Sequence, residues 1–334
     1  MTNDADNASS DVSGADRAQN ADGLPTGQVE RVRVLHERAR SLHARLGQIL
    51  GPGELDEYGA ALGDLLDVLP HDDPSRAMYG QMRVEFAGRA SEMSIAAWQR
   101  HLETGSPEDL ELAVALGRRA VAAAGEDDPN RTRVLADLGR VLQNEIARTR
   151  DRAVTEEAIG ALEEAVAATG VDSPHRVVRV SMLGMCLWHR ATQRMAAGDD
   201  PTADLDRAIV LHRDAVARAE AGGFPDPGGP LGNLAVVLDA AGRARGDDGL
   251  TAEAGRRFES AVEATPPGHP ERFRRLANLG GYLWTRFREG GDREALLRAV
   301  DVLKQAEREL PEGRGLPSVL ASALEAAELE ARKP

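Results

Sequence analysis

The chain has 334 residues, 42% of them apolar, 3% aromatic and 29% charged, and its 55 acidic against 41 basic side chains leave a formal net charge of −14. So large an acidic excess argues against nucleic acid, since phosphate binding draws on a positive face; only a locally basic groove would offer a route to it. No apolar run approaches the ~20 residues that span a bilayer and no signal peptide opens the chain. A single cysteine, Cys186, allows no internal disulfide, and together these features predict a cytoplasmic protein with no membrane contact.

Residues 1–26 are rich in Asp, Asn, Ser, Ala and Gly and predict a disordered acidic tail. Two amphipathic stretches follow, Gln28 to about Leu50 and Glu54 to about Leu69, which read as an atypical hairpin over 27–70. From residue 73 onward a two-helix unit returns five times, at 73–125, 128–170, 173–222, 224–267 and 269–311. Each unit opens at a proline: Asp73-Pro74, Asp128-Pro129, Ser173-Pro174, Phe224-Pro225 and His269-Pro270. Proline suits the first helical position, where its missing N–H costs nothing, and a preceding Asp or Ser can cap the next free amides.

Ten residues beyond the last four prolines stand Gly139, Gly184, Ala235 and Gly280, each preceded by a leucine (Leu138, Leu183, Leu234, Leu279). A small residue there lets a neighbouring helix approach closely. Leu135, Val180, Leu231 and Leu276 lie four before it, and Leu142, Leu187, Leu238 and Leu283 three after, so the spacing predicts one buried stripe on a helix A. On the return helix B, alanines recur seven apart at Ala113/Ala120, Ala158/Ala165, Ala208/Ala215, Ala254/Ala261 and Ala299/Ala306. Between them sit Leu162, Phe258 and Leu303, with Gly117 and His212 as weaker matches. Pro266 and Pro311 stop the last two B helices, and a final helix within 314–334, begun by Leu316-Pro317, carries Leu320, Leu324 and Leu329 to close the stack. No alternating β-branched run occurs, so the fold class is all-α.

At these residues the chain resembles the tetratricopeptide repeat (TPR) family, and repeat five carries the likeness best through Leu276, Leu279-Gly280, Leu283, Ala299, Leu303, Ala306 and Pro311. The family unit is about 34 residues and this one is about 45, which implies helices about a turn longer. The string HPERFRRLANLGGYLWTRFREGGDREALLRAV, residues 269–300, is similar to the long repeats that precede a caspase-like CHAT peptidase domain in actinobacterial proteins. The resemblance implies an α-solenoid of stacked antiparallel hairpins, wound as a right-handed superhelix with helix A on the inner surface. Carried over, that inner surface takes Arg133, Asp137, Arg140 and Gln143 from repeat two and Met182, Met185, Trp188 and His189 from repeat three. Repeat four supplies Asn233 and Asp239, and repeat five Arg274, Asn278 and Trp284. Asn278, one turn after Arg274, matches the basic-plus-Asn pair with which some family members clamp a terminal carboxylate, although Asn233 has Gly229 where its basic partner would be. Trp188 and Trp284 occupy equivalent positions and read either as partner anchors or as helix-end packing.

Catalytic signatures are missing from the sequence: there is no HExxH, CxxC, GxSxG or GxxxxGK[ST]. The eight histidines are scattered, with His36 and His43 two turns apart on one helix and His189 and His212 on paired helices. The Gly-Asp strings at Asp199-Asp200 and Gly246–Asp248 fall where hairpins turn. The sequence thus reads as a non-catalytic scaffold or adaptor that holds a peptide or partner protein in a concave groove without cofactor or metal, as the companion of a CHAT-type peptidase or signalling system. Self-assembly into homo-oligomers through the ends of the stack stays open, as does an enzyme whose site forms only in three dimensions.

Overall fold

The computed structural model describes residues 26–46, 52–310 and 318–333. Of the expected tail, residues 1–25 lie outside this set, as do Pro311, Leu316 and Pro317. The described residues form thirteen α-helices and no strand, so the protein is all-α. The first two are α1 (Thr26–Ala44) and α2 (Pro52–Val68). Then come pairs of A and B helices: α3 (Ser75–Thr104) with α4 (Pro107–Ala123), α5 (Arg131–Thr149) with α6 (Arg152–Ala167), α7 (Arg176–Ala197) with α8 (Thr202–Gly222), α9 (Gly228–Arg245) with α10 (Asp248–Glu263), and α11 (Arg272–Gly290) with α12 (Arg293–Arg308). The last helix is α13 (Ser318–Ala331).

The chain divides into two compact units, 1–141 and 142–334, with the division inside α5. In the first unit α2 packs on α1 and on the α3/α4 hairpin, around a core that includes Leu42, Tyr58, Leu62, Leu65, Tyr79 and Phe86. Tyr58 meets Phe86 edge-on, at 5.2 Å between ring centroids. Its hydroxyl shares a 2.7 Å hydrogen bond with His43 Nδ1, and His36 Nδ1 bonds Tyr79 in the same way, so the two histidines of α1 are structural pins. In the second unit α6 packs on α7, α8 on α7 and α9, α10 on α9 and α11, and α12 on α11 and α13. That is the nearest-neighbour stacking of an α-solenoid.

The seams follow from side-chain size. All ten recurrent alanines of the B helices are at most 1% exposed, leaving no room for a larger residue. A Cβ built on Gly184 would lie 2.6 Å from the His212 ring, and one on Gly280 would lie 2.6 Å from Leu303, so these glycines make way for the central residue of the paired B helix. The hairpin corners are built alike. A left-handed residue (Gly105, Arg150, Gly198, Gly246 or Gly291) ends helix A, and a carboxylate or hydroxyl then accepts from the first turn of helix B. Ser106, Asp151, Asp247 and Asp292 are those caps, and Asp200 accepts from Thr202 N at 2.9 Å.

The joint prolines behave differently from expectation. Helices α5, α7 and α11 begin two residues after the proline, not at it, because the proline sits in a turn closed by bonds such as Arg131 N to the Asp128 carbonyl at 2.9 Å. The residue before the proline does accept an amide as expected: Asp73 takes Ser75 N at 2.8 Å and Asp128 takes Asn130 N at 2.7 Å. Two residues after the proline an arginine turns back on the preceding helix and binds its last carbonyls. Arg176 Nη1 reaches Val166 and Thr169, Arg272 reaches Val262 and Thr265, and Arg76 and Arg131 do the same at their joints. These contacts satisfy acceptors that a helix end leaves free. The joint before α9 has Pro227 in that place. There Arg275, buried, donates instead to Asp226 at 2.6 Å, through space that Gly228 leaves open.

Candidate binding face

In the second unit the A helices meet each other, α7 against α9 and α9 against α11, and leave two cavities along that face. Each is about 190–200 Å3, below the roughly 300–1,000 Å3 of small-molecule pockets and suited to one large side chain.

The cavity between α7 and α9 has apolar walls from Val177, Val178, Met182, Met185, Phe224 and Pro230. Gln143, Ser181, Asp226 and Asn233 supply its polar edge. Gln143 is held in place, since its amide donates to the Met182 carbonyl at 2.9 Å and reaches Cys186 Sγ at 3.7 Å. Cys186 itself is fully buried, which pushes its thiol up to about 12 and keeps it protonated. Ser181 Oγ is buried with no hydrogen-bond partner among the described residues.

Between α9 and α11 the second cavity is lined by Trp188, Val236, Asp239, Arg243, Phe258, Asn278, Tyr282 and Thr285, and Leu320 of α13 closes one side. Asp239 is only 8% exposed, and burial raises its pKa while Arg243 opposes the shift. Arg243 donates to Oδ2 at 2.6 Å and the other oxygen, Oδ1, takes no hydrogen bond from the described residues. The Trp188 indole N–H is buried and has no hydrogen-bond partner among the described residues. Tyr282 lies against Phe258 and donates to the Thr251 carbonyl at 3.0 Å, which fixes its ring as a wall.

Seven of the residues named from sequence therefore gather in two places: Gln143, Met182, Met185 and Asn233 at the first cavity, Trp188, Asp239 and Asn278 at the second. The others do not. Arg274 is exposed and pairs with Glu271 at 3.1 Å, outside the cavity that Asn278 lines. Trp284 lies against Phe287, at 5.6 Å between centroids, and lines neither cavity. His189 packs on the Trp188 ring, and burial lowers its pKa to about 4. In the first unit Arg133 and Asp137 bind one another and Ser91, while the Arg140 guanidinium lies 5.8 Å from the Trp98 ring centroid.

Sequence reasoning missed Arg243, Tyr282 and Thr285, which lie off the Leu-Gly rows, and it missed Trp98. Ser94 stands eleven residues before the left-handed corner Gly105, as Gly280 stands before Gly291, so Trp98 holds the register of Trp188 and Trp284. Counting from the proline hid this, because α3 has 30 residues against 19 in α5 and α11. A third cavity, about 430 Å3, lies at the joint before α9 and is lined by Val171, Pro174, Arg218, Phe224 and Pro225. Among the described residues no group of three His, Cys, Asp or Glu could hold a metal ion, and no helix is long and apolar enough to cross a membrane.

No family model matches the chain, and no curated protein matches it. Among solved structures it is similar to the nearly identical TPR-like repeats of a kinesin light chain from Podosopora anserina, at 20% identity and a TM-score of 0.44 over 66% of this chain and 98% of that one. It is also similar to BtubC (BKLC) from P. vanneervenii, at 15% identity and a TM-score of 0.40 over 88% of this chain and 98% of that one. Nro1, described as a nuclear import adaptor, matches at 13% identity and a TM-score of 0.31 over 90% and 93%.

Proposed function

We propose that the protein is a non-catalytic interaction scaffold whose A-helix face in the second unit captures an extended segment of a partner protein. The supporting observation is the pair of side-chain-sized cavities between successive A helices, each with apolar or aromatic walls and an amide, Asn233 or Asn278, at its edge. Such amides can bond the backbone of a segment laid across the helices while its side chains fill the cavities. The likeness of residues 269–300 to repeats that accompany CHAT peptidases favours a peptidase of that type, made in the same cytoplasm, as the protein that supplies the segment.

Panning a random peptide library on the full-length protein tests the scaffold reading. The native chain should enrich a sequence family, and Met185→Arg, which fills the first cavity with a charged side chain, should abolish the enrichment while the thermal melt stays within a few degrees. Trp284→Ala should retain it, because that ring lies on Phe287 and away from both cavities. Failure of the native chain to enrich any family, or equal enrichment by Met185→Arg, would overturn the reading.

A further inference from the structure

We infer that the cavity between α9 and α11 takes a cationic side chain, arginine or lysine, from a peptide whose apolar side chain fills the cavity between α7 and α9. The inference rests on the scaffold reading above and specifies its ligand.

The second cavity is built for a cation with an apolar stem. At its wall lies a largely buried carboxylate, Asp239, one of whose oxygens, Oδ1, takes no hydrogen bond from the described residues and stays open to solvent. Arg243 satisfies the other oxygen, so what is wanting is a single donor approaching from the cavity. A cationic donor in the cavity exchanges the solvent at that oxygen for a charge-assisted hydrogen bond, roughly twice as strong as a neutral one. The Asn278 carbonyl can accept a second N–H of the same group. Trp188, Tyr282 and Phe258 surround the space with ring surface, which suits both the methylene stem and, through the ring quadrupole, the cationic head. The charged groups that act on Asp239 are Arg243 and Arg286 against Glu289, so the site itself is nearly balanced. The whole chain carries −14, which draws basic segments toward it.

The first cavity offers no charged group free to pair, because Asp226 is already bound to Arg275, and its methionine, valine and phenylalanine walls suit an aliphatic side chain. Neighbouring helix axes lie roughly 8–10 Å apart and an extended chain rises about 3.3 Å per residue. Along α9 the linings are also displaced, Pro230 and Asn233 for the first cavity against Asp239 and Arg243 for the second, by about nine residues or ~13 Å of helical rise, so the two anchors fall about five residues apart in the bound segment.

Fluorescence anisotropy with labelled twelve-residue peptides on the full-length protein provides the test. The parent peptide carries Leu and, five residues on, Arg in an Ala/Ser/Gly background; companions replace Arg by Gln or Glu, or set the two anchors two apart. Arg should bind about tenfold or more tighter than Gln, the range expected of a charge-assisted hydrogen bond, and more tightly than the misspaced peptide. Asp239→Asn, which conserves shape, should erase the Arg-over-Gln preference, and Asn278→Asp, at a half-buried edge position, should enlarge it. Equal affinity for Arg and Gln, a preference for Glu, or a preference unchanged by both variants would overturn the inference. Peptide enrichment lost on Met185→Arg but showing no basic residue would overturn the inference while leaving the scaffold reading standing.

Discussion

Arg150 is the one non-glycine with a left-handed backbone among the described residues, at φ 53°. Glycine fills that corner in the other four hairpins, where the missing Cβ removes the clash of a left-handed L-residue. Arg150→Gly should therefore stabilise the protein by about 0.5–1 kcal/mol, the relief of the clash less the added freedom of the unfolded chain. An unchanged or lower midpoint in chemical denaturation would show that the corner is not strained. His212 tells a second residue-scale story: it stands where Leu162 and Leu303 stand, fully buried, with neither ring nitrogen hydrogen-bonded among the described residues. Burial lowers its pKa to about 4 from an unfolded value near 6.5. Between those values the unfolded chain binds a proton that the folded chain refuses, so stability is present above pH 6.5 and is lost as pH falls, by up to about 1.4 kcal/mol per pH unit. His189, lowered by burial in the same way, adds to that slope. His212→Leu should raise stability at pH 7 and flatten the decline toward pH 5, read from urea midpoints at the two pH values. A midpoint difference as steep as that of the native chain would place the acid sensitivity elsewhere. The sequence showed His212 only as a misfit in the alanine pattern, because burial is set by the neighbouring helix.

At the scale of the elements, the hairpin is a size match between a glycine on helix A and a larger residue on helix B. Gly280→Ala puts a methyl into Leu303 and should cost about 1–3 kcal/mol. Leu303→Ala alone leaves a cavity worth about 2–5 kcal/mol. Together they should cost less than their sum, since the new methyl enters the space the leucine vacates. Strict additivity in a denaturation cycle would mean that the two side chains do not meet. Both halves of this match were legible in the sequence, as Leu279-Gly280 and as the central residue between Ala299 and Ala306. The arginines that hold the joints were not legible, although Arg76, Arg131, Arg176 and Arg272 share one offset from their prolines. An arginine two residues into a helix looks like solvated surface until the carbonyls it turns back to are in view. Likewise the fourth joint, where Pro227 replaces the arginine, looked like an ordinary Gly/Pro loop before Arg275 and Asp226 were seen to cross it.

For the molecule as a whole, nearest-neighbour packing implies that loss of stability stays local. In the second unit α13 covers α12 and α11, its terminal carbonyls at Ala331 and Lys333 take the Arg293 guanidinium at 3.1 and 2.7 Å, and Glu328 pairs with Lys304. Deleting residues 314–334 should speed amide exchange in α11 and α12 and leave α7 and α8 protected as before. Equal acceleration from α7 to α12 would show that this unit opens as one block. Successive B helices are also bridged on the surface, by Arg207–Glu163, Arg213–Glu253 and Arg298–Glu259. Exposed pairs of this kind are each worth about 0–1 kcal/mol, so they do not alter that expectation.

The sequence by itself determined the two-helix module, its period and its seams, because helical spacing and the demand for small residues at close contacts are local properties repeated five times. It could not determine which exposed-looking positions open onto empty space. Trp188 and Trp284 hold the same register, yet one borders a cavity and the other lies against Phe287, and Asp239 becomes a nearly buried carboxylate only where α9 meets α11. Those outcomes depend on side chains distant in sequence that tertiary packing places next door.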